Sequence, residues 1–348
     1  MMKMISSGGA PSSQAQALAL DRSSVFSREH VPPAVSAVTS LPVIDMSRSR
    51  DEVRRAILDA GMEFGFFLVV EHGIPEEVMR DMLEVCEEFF QLPAASKAYM
   101  YSEDSQRPNR IFSGTTYDTG GDKYWRDCLR LACPSSFPVG SGTRDDWPHT
   151  PQRLRGVVER FTALTRGLGV ELLRLLSEAM GIRPDYFEGD ISAGDVVLNV
   201  NHYPPCPSPE KTLGLPPHCD RNLITLLLQG SVYGLDVAYR GEWIKVEPMP
   251  GALVVNFGQQ LEVVTNGLLK SVEHRVVTSS TLARTAVATF IMPTPDCLIG
   301  PSKEFLAGDK PPCYRTIRFG DFMRMYNTVK LGSSINQTTD LKNIQKKI

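Results

Sequence analysis

Near Asp195 the texture of the sequence changes. From there "DVVLNVNHY", "NLITLLL", "GEWIKVE", "ALVVNF", "HRVVT" and "TAVATFIM" follow one another as short β-rich runs separated by Gly, Pro and Asn turns. No helix-length periodicity interrupts them. So many strands leave many edges to cover, and a closed sandwich or barrel, the jelly roll among them, is one of the few ways to cover them. The fold class expected is α+β with a mainly β core, with the jelly roll one of the closed forms open to it.

The chain before Asp195 reads as mostly helical. After a short strand, Leu41 to Asp45, Ser49 and Glu52 form a capping box, and Val53, Ile57, Ala60 and Phe64 recur at helical spacing. "GFFLVVEHG" is a buried strand closed by Gly73, and Val78, Met82, Val85 and Phe89 stripe a second helix. A long helix is expected from about Pro151 to Met180, with Leu154, Val158, Phe161, Leu168, Leu172 and Leu175 on one face and Gly181 as its stop. Phe319, Phe322, Met323 and Tyr326 return to helical spacing near the end. The expected organisation is a loose arm over 1–40, a helical region over 41–190, a β core with its C-terminal helix over 191–330, and a frayed tail over 331–348.

Composition narrows the function classes. With 348 residues, 42% of them hydrophobic, the chain can bury a sizeable core. The formal charge of −3 gives no pull towards nucleic acid or an anionic membrane, and no apolar run is long enough to span a bilayer. The Ser/Ala-rich first forty residues are poor in arginine, so they read as an arm rather than a plastid-targeting segment. The seven cysteines are scattered without paired spacing and are expected as reduced thiols. A cytoplasmic monomer acting on a small molecule is expected, with the nucleus also open to it.

"LPPHCDRNLITLL" carries the chemistry. In a strand, residues two apart face the same side, so His218 and Asp220 can present an imidazole and a carboxylate to one point while Cys219 faces away. Taken alone, the pair fits a hydrogen-bonded strand end equally well. "SVEHRVV" adds His274 at the start of another β-run, and two histidines with one carboxylate supply one face of an octahedron. Three positions stay open, which suits non-haem Fe(II) with a substrate, a cosubstrate and dioxygen, whereas structural zinc is ligated on every side. His30, His72, His149 and His202 lack a paired acid in strand context and are expected at the surface or in the core.

Five segments in order, "FGFFLVVEHGI", "NHYPPCP", "LGLPPHCD", "NGLLKSVEHR" and "ARTAVATF", make the chain resemble the plant 2-oxoglutarate- and Fe(II)-dependent dioxygenases of specialised metabolism. "HCDRNLITLL" and "KEFLAGDKPPCYRTIRFGDF" resemble the subgroup of hyoscyamine 6-hydroxylase and the mugineic-acid dioxygenases. The resemblance implies a double-stranded β-helix with iron held by His218, Asp220 and His274. It implies that Arg284 pairs with the far carboxylate of 2-oxoglutarate, supported by the Tyr203 hydroxyl, with Asn201 nearby. It also implies ascorbate as reductant, and dioxygen-driven hydroxylation of a small metabolite with release of succinate and CO2. A flavonoid or hormone-like phenolic is the first expectation for that metabolite. Phe112, Tyr117, Tyr124, Phe290 and Met292 are candidates for lining an apolar mouth.

Three positions depart from the family pattern. Arg-x-Ser becomes Arg284-Thr285-Ala286, which removes a hydroxyl donor worth about 1.5–3 kcal/mol to a carboxylate, and Thr285 faces the other side of its strand. The second aromatic of Asn-Tyr-Tyr is His202, and a frequent Asp is Gln259. Two alternatives follow: an ascorbate-driven oxidase like the aminocyclopropane-carboxylate enzyme, and a turnover-deficient relative that binds a small acid.

Overall fold

A computed structural model describes residues 40–113, 124–133, 146–306 and 311–328. The expected arm before residue 40 and the tail over 331–348 lie outside the described residues.

Strand β1 (Val43–Asp45) leads into helix α1 (Arg50–Glu63), whose start is the expected capping box. The Glu52 N–H donates to Ser49 Oγ at 3.4 Å and the Ser49 N–H donates to Glu52 Oε2 at 3.2 Å. Strand β2 (Phe66–Val70), helix α2 (Glu76–Gln91), the single turn α3 (Ala94–Lys97) and strands β3 (Arg110–Phe112) and β4 (Asp127–Cys133) follow. Helix α4 (Leu154–Ala179) buries the predicted stripe from Leu154 to Leu175, and Gly181, at φ +71°, ends it as only glycine readily can.

The β core then runs through β5 (Val196–Tyr203), β6 (Leu213–His218), β7 (Ile224–Leu228), β8 (Leu235–Tyr239), β9 (Glu242–Val246), β10 (Leu253–Phe257), β11 (His274–Val277) and β12 (Arg284–Ile291). A small ribbon of β13 (Leu298–Ile299) and β14 (Ile317–Arg318) precedes the last helix, Phe319–Thr328. Between β10 and β11 lies a helix the sequence did not suggest, α5 (Gln259–Val264). Six residues are too few for an apolar period to show. The last helix is therefore α6.

The strands form an eight-stranded sheet in the order β1-β2-β10-β7-β12-β5-β4-β3 and a four-stranded sheet in the order β6-β11-β8-β9. This is the jelly roll. The N-terminal half is less purely helical than its stripes suggest, because β1 to β4 extend both ends of the large sheet. Helices α2 and α4 cover the outer face of that sheet, where Val200, Val287 and Ile291 meet Phe161, Leu168 and Leu172. A second apolar cluster, including Leu68, Val237, Ile244 and Val254, fills one end of the space between the sheets. The other end is polar.

One buried ion pair ties the small sheet together. Arg275 on β11 stands opposite Asp236 on β8, and its Nε donates to Asp236 Oδ2 at 2.9 Å with both side chains sealed from solvent. Its guanidinium lies 4.2 Å above the Trp243 ring, and the Tyr233 hydroxyl donates to the other Asp236 oxygen. Arg275→Met should cost about 3–5 kcal/mol, because it strands a buried carboxylate. A urea titration that showed an unchanged midpoint would refute this.

Candidate active site

His218 is the last residue of β6 and His274 the first of β11, and these two are direct partners across the antiparallel pair. Their rings sit 4.2 Å apart between centroids. Asp220 lies two residues past the end of β6, so it reaches the histidines from the segment between β6 and β7 rather than from the strand pleat. The Gln259 N–H, at the start of α5, holds the Asp220 carbonyl at 2.8 Å. Asp220 Oδ1 comes within 3.9 Å of His218 Nε2 and 3.8 Å of His274 Nε2, and all three residues are buried.

The partners of these groups decide which atoms are left to bind. Thr225 Oγ1 donates to Asp220 Oδ2 at 2.7 Å and Asn256 Nδ2 donates to the same oxygen at 2.8 Å, which leaves Oδ1 facing the histidines. His218 Nδ1 lies 2.8 Å from the Pro216 carbonyl and His274 Nδ1 3.2 Å from the Val272 carbonyl. A carbonyl only accepts, so each Nδ1 carries a proton and donates it, which turns each Nε2 towards the site. Burial and the neighbouring His274 push the His218 imidazole well below its ordinary value, so it stays neutral. Burial raises the Asp220 carboxyl, but His274, His218 and the bonds from Asn256 and Thr225 outweigh it and hold it below its ordinary value. Two imidazole nitrogens and one carboxylate oxygen, aimed at one point, suit a divalent metal.

The inner face of the large sheet forms the opposite wall in registered rows. Arg284 pairs with Tyr203; Ala286 with Asn201 and then Cys128; Ala288 with Asn199 and then Arg130; Phe290 with Val197 and then Ala132. Thr225 stands beside Phe290, so the metal ligands lie at that end and Arg284 at the other. The cavity between the two walls has a free volume of about 100 Å³.

Arg284 is a buried cation awaiting an anion. Its Nε donates to the Val232 carbonyl at 3.0 Å, but Nη1 and Nη2 are buried with no hydrogen-bond partner among the described residues. Burial pushes its pKa down, against the pull of the Tyr203 hydroxyl. Gly234 makes room for it, since a Cβ there would fall 2.8 Å from Arg284 Cδ. The Tyr203 phenol, raised by burial, has Arg126 and Arg284 acting the other way. A dicarboxylate with one end on the metal and the other on Arg284 matches this arrangement.

The hydroxyl missing at Ala286 has no substitute on its strand. The methyl of Ala286 faces the cavity, whereas Thr285 faces outward and its Oγ1 is bonded to His202 Nδ1 at 3.1 Å. His202 stacks on Phe90 of α2, ring centroids 4.8 Å apart, so this departure serves packing outside the barrel. Ala286→Ser should lower the KM for 2-oxoglutarate about tenfold with kcat unchanged. An unaltered KM would mean that another donor already fills the role.

Of the other expected residues, Asn201 lines the cavity and its Oδ1 accepts from Arg126 Nη1 at 2.6 Å, so it fixes an arginine. Phe290 and Met292 line the cavity. Phe112 and Tyr124 are buried outside that lining, Phe112 beneath the guanidiniums of Arg110 and Arg126 at 4.7 and 5.8 Å. Tyr117 lies outside the described residues. Sequence reasoning passed over Thr225 and Asn256, which orient Asp220, and over Arg126, Arg130 and Arg221, which line the cavity. Asn256 was signalled by one polar residue inside "ALVVNF", and Arg126 and Arg130 by basic residues at strand period in "RDCLR".

A jelly roll with a buried two-histidine, one-carboxylate face at one end of its cavity defines a non-haem Fe(II) oxygenase. The chain belongs to the 2OG-Fe(II) oxygenase superfamily, whose model matches residues 194–293, and residues 41–151 match the N-terminal region of non-haem dioxygenases in morphine synthesis. It is 67% identical to 2'-deoxymugineic-acid 2'-dioxygenase of Hordeum vulgare, over 95% of this chain and 97% of that one. It is 55% identical to mugineic-acid 3-dioxygenase of the same plant, over 92% and 93%. The crystal structure of JOX2 in complex with 2OG, Fe and JA superposes with a TM-score of 0.81 at 31% identity, over 94% of this chain and 96% of that one. The enzyme is an Fe(II)- and 2-oxoglutarate-dependent dioxygenase of small metabolites, and neither the ascorbate-driven oxidase nor the turnover-deficient binder is favoured.

Proposed function

We propose that this dioxygenase hydroxylates a carboxylate-rich amino acid of the mugineic-acid type. The observation that carries the reading is the charge of the cavity wall: Arg126, Arg130, Arg221 and Arg284 line it against the single carboxylate of Asp220. With Arg284 taken by 2-oxoglutarate, a neutral flavonoid would still bury the Arg130 guanidinium without counter-charge, which is costly, whereas a carboxylate-rich acid supplies it. The two Hordeum relatives, named for mugineic acids, support the same class.

In this reading His218 Nε2, Asp220 Oδ1 and His274 Nε2 hold Fe(II), and Arg284 with Tyr203 holds the far carboxylate of 2-oxoglutarate. The iron supplies dioxygen activation coupled to the oxidative decarboxylation of 2-oxoglutarate to succinate and CO2. The residues around it do the rest. Thr225 and Asn256 keep Oδ1 of Asp220 turned inward. Phe66, Leu215, Leu227 and Val276 line the cavity with apolar surface and exclude water from it. No helix among the described residues is long and apolar enough to cross a membrane.

The test is direct. Purified protein with Fe(II), ascorbate and 2-oxoglutarate is offered 2'-deoxymugineic acid, mugineic acid and a flavanone in parallel. A product heavier by one oxygen from either mugineic acid, matched by succinate, is expected. Turnover of the flavanone alone would overturn the proposal.

A further inference from the structure

The row beside the metal ligands holds two polar side chains that the metal and the cosubstrate leave unused. Arg130 on β4 stands opposite Asn199 on β5, which stands opposite Ala288 on β12. This row is four residues along β5 from the Tyr203–Arg284 row, roughly 13 Å at strand rise, and next to the Phe290 row that Thr225 joins. It is too far from Arg284 to share the same carboxylate. It is close to the point where a C–H bond must be presented.

Both side chains lack what they need. The Arg130 side chain makes no hydrogen bond or ion pair with any described residue. Burial, with the nearby charges of Arg221 and Arg110, pushes its pKa down to about 9, the mark of a guanidinium surrounded by too little negative charge. Asn199 Oδ1 is buried without a hydrogen-bond partner among the described residues. An amide can turn its N–H groups to the same point, since its two orientations differ only in which atom faces the cavity. Ala288 is small and leaves open space above the row. Asp220 is the one carboxylate on the wall, and its two oxygens are already committed to the histidine side and to Thr225 and Asn256.

We propose that Arg130 and Asn199, flanked by Arg221, form the subsite that receives a carboxylate of the primary substrate and thereby select an acidic amino acid over a neutral phenolic. This assignment rests on the substrate class proposed above and deepens it. A planar guanidinium and an adjacent amide match a carboxylate in geometry as well as charge. The subsite is separate from the cosubstrate anchor, so the two can be disabled independently.

The experiment uses the full-length protein with Fe(II) and saturating 2-oxoglutarate. For Arg130→Gln the KM for 2'-deoxymugineic acid should rise about 10- to 100-fold, while the KM for 2-oxoglutarate and the succinate released without primary substrate stay within about twofold of wild type. Arg130→Lys, which keeps the charge but not the fork, should recover part of the loss. Anaerobic calorimetry with the same acid, which needs no turnover, should show the same order of affinities. Wild-type affinity in Arg130→Gln would overturn the subsite. If wild type does not bind 2'-deoxymugineic acid, the substrate class fails, and the subsite is judged with propane-1,2,3-tricarboxylate. Binding lost in Arg130→Gln sustains it, and binding equal in the two proteins, or absent from both, refutes it.

Discussion

Asp220→Ala should abolish turnover and lower Fe(II) affinity by well over a hundredfold, while the protein stays folded. In the proposed triad the carboxylate is the one anionic ligand of the three, and replacing even residues that merely orient metal ligands typically costs 10–100-fold. The fold survives because Asp220 is not part of the apolar packing. Its loss leaves Thr225 Oγ1 and Asn256 Nδ2 short of an acceptor, yet it also removes a charge that burial disfavours. Calorimetry with Co(II) as a redox-inert probe, succinate release and circular dichroism separate these effects. Near-normal activity would contradict the assignment of the triad.

Arg284→Leu should act with opposite signs on two observables. The KM for 2-oxoglutarate should rise a hundredfold or more, because the variant leaves a carboxylate buried without its cation, at a cost of about 3 kcal/mol or more. The cosubstrate-free protein should be as stable as wild type or more so, since Nη1 and Nη2 of Arg284 are buried without partners and burial already works against the charge. With Co(II) present throughout, adding 2-oxoglutarate should therefore raise the Tm of wild type and leave that of the variant little changed. A variant destabilised by several kcal/mol in the absence of 2-oxoglutarate would show that Arg284 serves the fold instead.

The proposed substrate subsite and the proposed cosubstrate anchor use one physical device, a guanidinium placed by strand register on the inner face of the large sheet. Strand period sets which residues face inward, and pairing sets which stand side by side. That is why Arg284 meets Tyr203 at one end, while Arg130 meets Asn199 beside the metal end.

Local patterning determined much of this protein. The capping box at Ser49, the stripes from Val53 to Ile57 and from Leu154 to Leu175, and the β-runs after Asp195 all specify their own elements, because helix and strand periods are properties of neighbouring residues. The ordered motifs likewise carried His218, Asp220, His274 and Arg284. Only the tertiary structure decided the rest. It put β1 to β4 into the large sheet, and it brought Asn256 and Thr225 to Asp220. It placed Phe112 and Tyr124 behind the wall, and it gathered Arg126, Arg130 and Arg221 around one cavity. These are contacts between residues far apart in the chain, and they depend on which strands pair and in what register, which the spacing of neighbouring residues does not encode.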